Sequence, residues 1–272
     1  MLRIGEINYL NCTPIFSMLR AHFNTPEYQF VSGTPAVLNA RLRCGEIDIC
    51  PSSSIEYARS PGSYLILPDL SISAYGPVKS VLLFSRLPIE KLDHASIALT
   101  DESATSVALL KIILARRYIF TNSFAVVTGG VADALLLHDA VLLIGDRALR
   151  EDAEFTDCHV YDLAALWREF TGLPFVFALW LVRKEAVTRS GGEMLQLHSQ
   201  LIRSKQLAMD NLASIAASLE QKSWTNSEFL INYWRTISYE LSPRHIEGLR
   251  LYFQYAAECG ILDVAPEIRI LE

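Results

Sequence analysis

Short apolar runs alternate with longer amphipathic segments through the first two thirds of the chain. The first run, near residues 4–10, is followed by Thr13 and Pro14, which fit a helix N-cap and a first helical position. The same pattern recurs after the run at residues 28–31, and a third run at 47–50 closes the series. This β-α-β-α-β order predicts a parallel sheet covered by helices.

A second series of strands and helices begins at residues 97–99. An apolar strand at 81–84 precedes it, and a long buried run at 175–182 follows it. The rest of the chain reads as helices at about residues 193–207, 210–221, 227–237 and 243–258, before a short strand at 268–271.

Two α/β series with a helical end predict an α/β protein of two lobes. We expect lobe one to comprise residues 1–85 and 175–272, and lobe two to comprise residues 86–174. The strands that cross between them would form a hinge. A cleft between two such lobes is a common place for a small ligand.

The composition argues against several classes of protein. The chain has 272 residues, of which 51% are hydrophobic and 20% charged, as in ordinary globular proteins. No apolar run approaches the ~18 residues that a membrane span needs. Arg3 and Glu6 interrupt the apolar start that a secretion signal would have, so we expect a cytoplasmic protein without membrane contact. The net charge of −6 and the lack of basic runs argue against nucleic-acid binding.

The five cysteines are scattered and form no CxxC pair. Neither a disulfide framework nor a metal site is therefore expected. The default for such residues is a buried free thiol.

Asn11 falls in the strand-to-helix turn that ends the first run. Such turns line the crevice at the carboxyl ends of sheet strands and point helix N–H groups toward it. An asparagine amide both donates and accepts hydrogen bonds without carrying charge. Two interpretations are open from the local sequence: an Asx-turn residue, or a residue that contacts a ligand.

Hydroxyl side chains cluster at two further predicted helix starts. Ser53 and Ser54 precede one helix, and Ser103, Thr105 and Ser106 occupy the first turn of another. A helix cap needs one hydroxyl, so the surplus fits an anion site and a polar loop about equally well.

Six segments, in the same order from residue 4 to about residue 183, resemble the chorismate dehydratase family of the futalosine route to menaquinone. They read INYLNCTP, GTPAVLNARLRCGEIDICPSSSIEYA, ILPDLSISAYGPVKSVLLFS, SATSV, LLIGDRAL and FTGLPFVFALW. The resemblance weakens in the C-terminal helices. It implies a two-lobed fold similar to type II periplasmic binding proteins, and a lyase that needs neither cofactor nor metal. The implied reaction converts chorismate into 3-[(1-carboxyvinyl)oxy]benzoate and water.

The resemblance also places Asn11 in the pocket, where its amide would orient the reacting groups. The residues expected to contact this small dianionic substrate are Ser53, Ser54, Ser80, Ser103, Thr105, Ser106, Gly145 and Asp146. For Asp146 the local sequence leaves a second interpretation open, which is capping of the segment that follows.

The residue that removes the proton is not evident in the sequence. None of the six histidines lies in a matched segment, and the matched carboxylates Glu56 and Asp146 both fall at helix starts. A carboxylate beside a dianion would also suffer repulsion. Our hypothesis is that the enolpyruvyl carboxylate of the substrate removes the proton itself.

Two other functions compete with this one. The sister enzyme of the route, 1,4-dihydroxy-6-naphthoate synthase, has an opening motif closer to SPCPNDT than to INYLNCTP. A non-catalytic protein that binds or senses a small anion would have the same kind of cleft. The sequence does not decide between a monomer and a homodimer.

Overall fold

The described part of the chain forms two five-stranded sheets that are flanked by helices. A computed structural model describes residues 1–155, 157–219 and 224–272. The strands are β1 Leu2–Ile7, β2 Tyr28–Gly33, β3 Ile49–Ser53, β4 Tyr64–Ala74, β5 Val81–Ser85, β6 Ser96–Leu99, β7 Ser123–Val126, β8 Ala140–Ile144, β9 His159–Asp162 and β10 Phe175–Arg183. The helices are α1 Thr13–Phe23, α2 Pro35–Arg43, α3 Ser54–Arg59, α4 Ala104–Ile112, α5 Val131–Leu137, α6 Gly145–Glu154, α7 Leu163–Thr171, α8 Lys184–Asp210, α9 Leu212–Ser218, α10 Ser227–Trp234 and α11 Pro243–Glu258.

The first sheet has the strand order β2-β1-β3-β10-β4. β1 pairs in parallel with β2 and β3, as the opening series predicts. β10 returns from the second half of the chain and lies antiparallel between β3 and β4. The antiparallel β10 therefore completes, from the second half of the chain, the sheet that residues 2–74 begin.

The second sheet has the strand order β7-β6-β8-β5-β9. β6 is parallel to β7 and β8, whereas β5 is antiparallel to β8 and β9. β5 ends at Ser85, the last residue that the sequence assigns to lobe one, but its partners belong to the second sheet. Since the run Val81–Ser85 is buried throughout, its composition fits either sheet equally.

Most predicted elements are present, and the predicted strands need correction at four places. β3 continues to Ser53, beyond the predicted end at Cys50. β4 and β9 are additional strands. The predicted strand at 268–271 forms only a single bridge, between Ile270 and Ile66 of the edge strand β4.

The helices differ from prediction mainly at their ends. α1 begins at Thr13, with Cys12 as the N-cap, so the prediction that Thr13 caps this helix is wrong. α8 is longer than predicted and has a non-helical residue at Ser190. α9 ends at Ser218. The predicted end of that helix, at residues 220–221, lies outside the described residues.

The C-terminal helices pack against the first sheet, as their apolar faces predict. Leu249, Phe253 and Ala256 are buried on α11, which lies against β10. The approach is close at Gly248, where an added Cβ would come within 2.2 Å of the Pro174 carbonyl oxygen. Within the described part of the chain, no helix has both the length and the apolar character that a bilayer crossing requires.

His245 is buried at the start of α11 and completes its cap. Its Nδ1 accepts a hydrogen bond from the Ser242 backbone N–H at 3.2 Å, and its Nε2 lies 3.3 Å from the Ser238 hydroxyl. Burial lowers the pKa of His245, and the charge of Glu240 opposes this only in part. A proton on Nδ1 would also oppose the bond from Ser242, so the neutral ring belongs to the folded state.

This arrangement predicts a pH dependence of the free energy of unfolding. The unfolded chain takes up a proton at His245 near the ordinary pKa of about 6.5, whereas the folded chain does so only at lower pH. Stability contributed by this residue is thus complete above that pH and is lost as pH falls toward the folded pKa. We expect His245→Gln, which can retain the capping box, to remove this component.

Urea unfolding of both proteins between about pH 5 and about pH 8 tests this prediction. The difference in unfolding free energy between wild type and variant should shrink as pH falls. Parallel curves would contradict it.

Candidate active site

A cavity lies between the two sheets, where β1, β3 and β10 of the first sheet face β5 and β8 of the second. Its lining residues are Ile7, Tyr9, Asn11, Pro35, Ser53, Ile72, Val78, Ser80, Val81, Ser103, Ser106, Ile144, Gly145, Phe177 and Ala178. Most of these side chains are apolar, and the polar ones are hydroxyls and one amide. The cavity thus offers a planar organic ligand both an apolar wall and neutral hydrogen-bonding groups.

Six of the nine sequence-predicted site residues line this cavity, although they come from five separate parts of the chain. They are Asn11, Ser53, Ser80, Ser103, Ser106 and Gly145. Ser54, Thr105 and Asp146 do not line it, and the structure gives these three residues other contacts.

Ser54 and Thr105 meet where α3 contacts α4. Their hydroxyl oxygens are 3.4 Å apart, and the Ile55 backbone N–H donates to Thr105 Oγ1 at 3.1 Å. Both side chains are buried. They join the first sheet's layer to the second beside the cavity. Because they occupy the same helix starts as the hydroxyls that line the cavity, the sequence pattern alone cannot tell the two groups apart.

Asp146 reaches across to the opening turn of the chain. Its Oδ1 accepts a hydrogen bond from the Leu10 backbone N–H at 2.9 Å. The N-cap position of α6 belongs to Ile144, so the alternative interpretation of Asp146 as an N-cap is wrong. The carboxylate instead holds the peptide unit that precedes Asn11.

Two C-terminal residues that the sequence analysis missed hold the same turn. Trp234 Nε1 donates to the Leu10 carbonyl oxygen at 2.7 Å, and the Tyr239 hydroxyl donates to the Asn11 carbonyl oxygen at 2.7 Å. Burial keeps the pKa of Tyr239 well above its ordinary value, so this hydroxyl remains a donor. No local sequence signal marks either residue, since each lies more than 200 positions from its partner.

With its backbone held in this way, Asn11 presents its amide to the cavity. Asn11 Oδ1 is buried and has no hydrogen-bond partner among the described residues. A buried amide atom without a partner is costly unless a ligand or water satisfies it. Asn11 is therefore the cavity residue with the clearest unmet need for a ligand.

Tyr9 crosses the cavity from the first sheet to the second. Its ring lies against Gly145, where a Cβ would come within 2.9 Å of Tyr9 Cε2. Gly145 also has a φ of +60°, and its N–H donates to the Ser80 carbonyl oxygen at 2.8 Å. Glycine is therefore required at this position both by the backbone and by the neighbouring ring.

The hydroxyls at the start of α4 are partly committed to its cap. Ser103 Oγ accepts a hydrogen bond from the Ser106 N–H at 3.2 Å and lies 3.1 Å from Ser106 Oγ. Ser53, the N-cap residue of α3, makes no such side-chain capping bond. The cavity thus contains hydroxyls from both layers of the protein.

Among the described residues that line the cavity, none has a charged side chain. The matched carboxylate Glu56 lies outside it, is 2% exposed, and pairs with Arg43 through two hydrogen bonds of 2.9 Å. Within residues 1–155, 157–219 and 224–272, no three His, Cys, Asp or Glu side chains converge as a metal site requires. The described groups can bind and polarise a ligand, but none of the lining side chains is an ordinary base at neutral pH.

The fold and the cleft are those of two-lobed binding proteins. The structure is similar to the alkanesulfonate-binding protein of Xanthomonas axonopodis pv. citri bound to MOPS, with a TM-score of 0.71 and 17% identity over 99% of this chain and 95% of that one. The protein therefore has the two-lobed fold of periplasmic binding proteins, with a cleft between the lobes and a helical C-terminal part.

The sequence comparisons then identify the family. A family model described as menaquinone biosynthesis matches residues 2–258. A chorismate dehydratase of Thermus thermophilus is 36% identical over 97% of this chain and 96% of its own length, and one of Campylobacter jejuni is 34% identical over 67% and 69%. The chain belongs to the menaquinone biosynthesis family, together with these chorismate dehydratases.

The contact between Gly145 and Tyr9 gives a test of the cavity geometry. We expect Gly145→Ala to displace the Tyr9 ring and to lower activity at least tenfold, because the new Cβ would overlap the ring. The positive φ should add about 1–2 kcal/mol of destabilisation.

Gly172→Ala is a matched control, since Gly172 has a φ of +72° and an added Cβ there would have no neighbour within 4 Å. It should lose comparable stability and retain activity. Steady-state kinetics and urea unfolding measure both quantities. Equal activity of the two variants would show that the Tyr9 position is unimportant.

Proposed function

We propose that this protein is a chorismate dehydratase that forms 3-[(1-carboxyvinyl)oxy]benzoate and water in menaquinone biosynthesis, and that it does so without a cofactor. The structural observation that carries the proposal is the buried Asn11 amide, whose Oδ1 has no partner among the described residues and faces a neutral cleft. The relative from Thermus thermophilus supports it over nearly the whole chain.

The substrate explains why a neutral cleft suffices. Chorismate carries two carboxylates, a ring hydroxyl and a neighbouring C–H that conjugation with the ring carboxylate makes acidic. Breaking this C–H and the C–O bond forms the aromatic ring, and the removed hydrogen and hydroxyl leave as water. The elimination involves no net oxidation or reduction, so it requires no redox cofactor.

The chain's own residues have two tasks in this reaction. The hydroxyls of Ser53, Ser103 and Ser106 would hold carboxylate oxygens, and the start of α4 would add the favourable field of a helix N-terminus. Asn11 would fix the orientation of the reacting atoms and stabilise charge as it develops. Ser80, which lines the same wall, would be a further contact.

We also propose that no side chain acts as the base. Glu56 is committed to Arg43, and Asp146 is committed at least in part to the Leu10 N–H. The two ring substituents of chorismate are trans, so the lost hydrogen and hydroxyl lie on one face. The enolpyruvyl carboxylate can therefore remove the proton in a syn elimination.

The two sheets would act as lobes that close on the substrate. Two contacts join the layers in this structure. The Tyr9 ring packs against Gly145, and the Leu10 N–H donates a hydrogen bond to Asp146. Opening the cleft would break both, and closing it would restore the Asn11 turn. Closure over the bound substrate would thus complete the site.

Incubation of the purified protein with chorismate tests the proposed activity. We expect the aromatic ether to accumulate at the rate at which chorismate disappears, as followed by chromatography with ultraviolet detection. Rates should be the same after dialysis against a metal chelator and without any added cofactor. Binding of chorismate without turnover would favour a sensor and reject the enzyme.

Single substitutions test the assignment of roles. We expect Asn11→Ala to lower kcat by about 10²–10³, the range seen when a transition-state hydrogen bond is lost. Glu56→Gln and Asp146→Asn should retain most of the activity. Each amide keeps one oxygen, which can still accept from Arg43 in the first variant and from the Leu10 N–H in the second.

Circular dichroism should show that all three variants are folded. A loss in Glu56→Gln or Asp146→Asn as large as that in Asn11→Ala would defeat proton removal by the substrate.

A further inference from the structure

Tyr9 Oη is a second buried polar atom in the cavity for which the described residues form no hydrogen bond. Tyr9 lines the cavity two residues before Asn11, and like Asn11 Oδ1 its hydroxyl has no partner among the described residues. The ring itself is fixed by Gly145, so the hydroxyl cannot readily turn away to reach water. A phenol in this position can donate a hydrogen bond to a ligand in the cavity.

The surroundings of this hydroxyl are negatively charged. Burial raises the pKa of Tyr9 most, and the carboxylates of Glu102, Asp146 and Asp101 raise it further. Glu102 is the nearest of these carboxylates and acts on the phenol both by its charge and as a hydrogen-bond acceptor. The two groups do not reach the distance and angle of a formed hydrogen bond in this structure, so the Tyr9 hydroxyl can still turn to a ligand. Tyr9 therefore stays protonated at neutral pH and can donate, but it does not give up its proton.

We propose that Tyr9 is a catalytic residue that donates a hydrogen bond to the ring hydroxyl of the substrate as this hydroxyl departs. The inference rests on the proposed function and adds a residue that neither the motifs nor the hydroxyl clusters single out. In this assignment Tyr9 Oη contacts the departing hydroxyl, and the Asn11 amide orients the reacting atoms.

The negative surroundings decide which substrate group Tyr9 meets. A substrate carboxylate beside Tyr9 would also be near three protein carboxylates, and like charges repel. The ring hydroxyl is neutral in the bound substrate, so it does not suffer this repulsion. Ser53, Ser103 and Ser106 provide the alternative positions for the carboxylates.

The proton balance is compatible with a donor that keeps its proton. The C–O bond breaks with its electron pair on oxygen, and the hydrogen taken from the neighbouring carbon completes the water molecule. Tyr9 shares its hydrogen with that oxygen while negative charge develops there. Its contribution is thus greatest in the transition state, where it raises kcat rather than affinity.

Tyr9→Phe tests the inference, because it removes the hydroxyl and keeps the ring that packs on Gly145. The reaction product has both carboxylates but lacks the ring hydroxyl. We therefore expect kcat for chorismate to fall by about 10- to 100-fold, as for the loss of a strong hydrogen bond, while the Kd of the product is unchanged. Steady-state kinetics measures the first quantity and titration calorimetry with 3-[(1-carboxyvinyl)oxy]benzoate the second.

Tyr118→Phe is a suitable control, since Tyr118 is partly buried and lies outside the cavity. It should change neither quantity. A product Kd weakened as much as kcat in Tyr9→Phe would mean that Tyr9 holds a carboxylate, and would overturn the inference. An unchanged kcat would overturn it too.

The same series separates this inference from the proposed function. If the wild type converts chorismate and Tyr9→Phe equals it, only the role of Tyr9 fails. If the wild type does not convert chorismate, the proposed function fails and the role of Tyr9 fails with it.

Discussion

Three hydrogen bonds hold the turn after β1, and the candidate site depends on them. The Leu10 N–H is bound by Asp146, the Leu10 carbonyl by Trp234, and the Asn11 carbonyl by Tyr239. These partners come from the second sheet's layer and from the C-terminal region. Because all three bonds are made by the backbone of the turn, the Asn11 side chain remains available to a ligand.

The neutral lining of the cleft follows from the physics of burial. A charged side chain buried without a partner would be destabilising before substrate arrives, and a paired one would be less available to the substrate. Hydroxyls, an amide and a helix N-terminus avoid this cost and still stabilise anions. Charged groups such as Glu56 and Arg43 are outside the cavity lining and pair with each other, which joins α3 to α2.

Much of this arrangement could be predicted from local pattern. Thr34 and Pro35, Ser242 and Pro243, and the glycines after α2 and α11 mark helix ends correctly because capping is a local effect. The same local capping pattern predicts Ser53 and Ser103 as site residues. The direction of a side chain at a helix start depends on packing between layers, so Ser54 and Thr105 could not be separated from their neighbours. Trp234 and Tyr239 were missed because only the folded chain brings them to Asn11.

The hydrogen bonds that hold the opening turn join residues that are synthesised far apart in time. Trp234 and Tyr239 are 224 and 228 residues from the atoms they bind. The turn leaves the ribosome long before Trp234 and Tyr239 do, so its last hydrogen bonds can form only after Tyr239 has been synthesised. Closing so long a loop costs entropy that only the finished C-terminal packing offsets. A chain cut before Trp234 would therefore hold the first strand without a formed site, so the chemistry depends on segments that are synthesised more than 200 residues after Asn11.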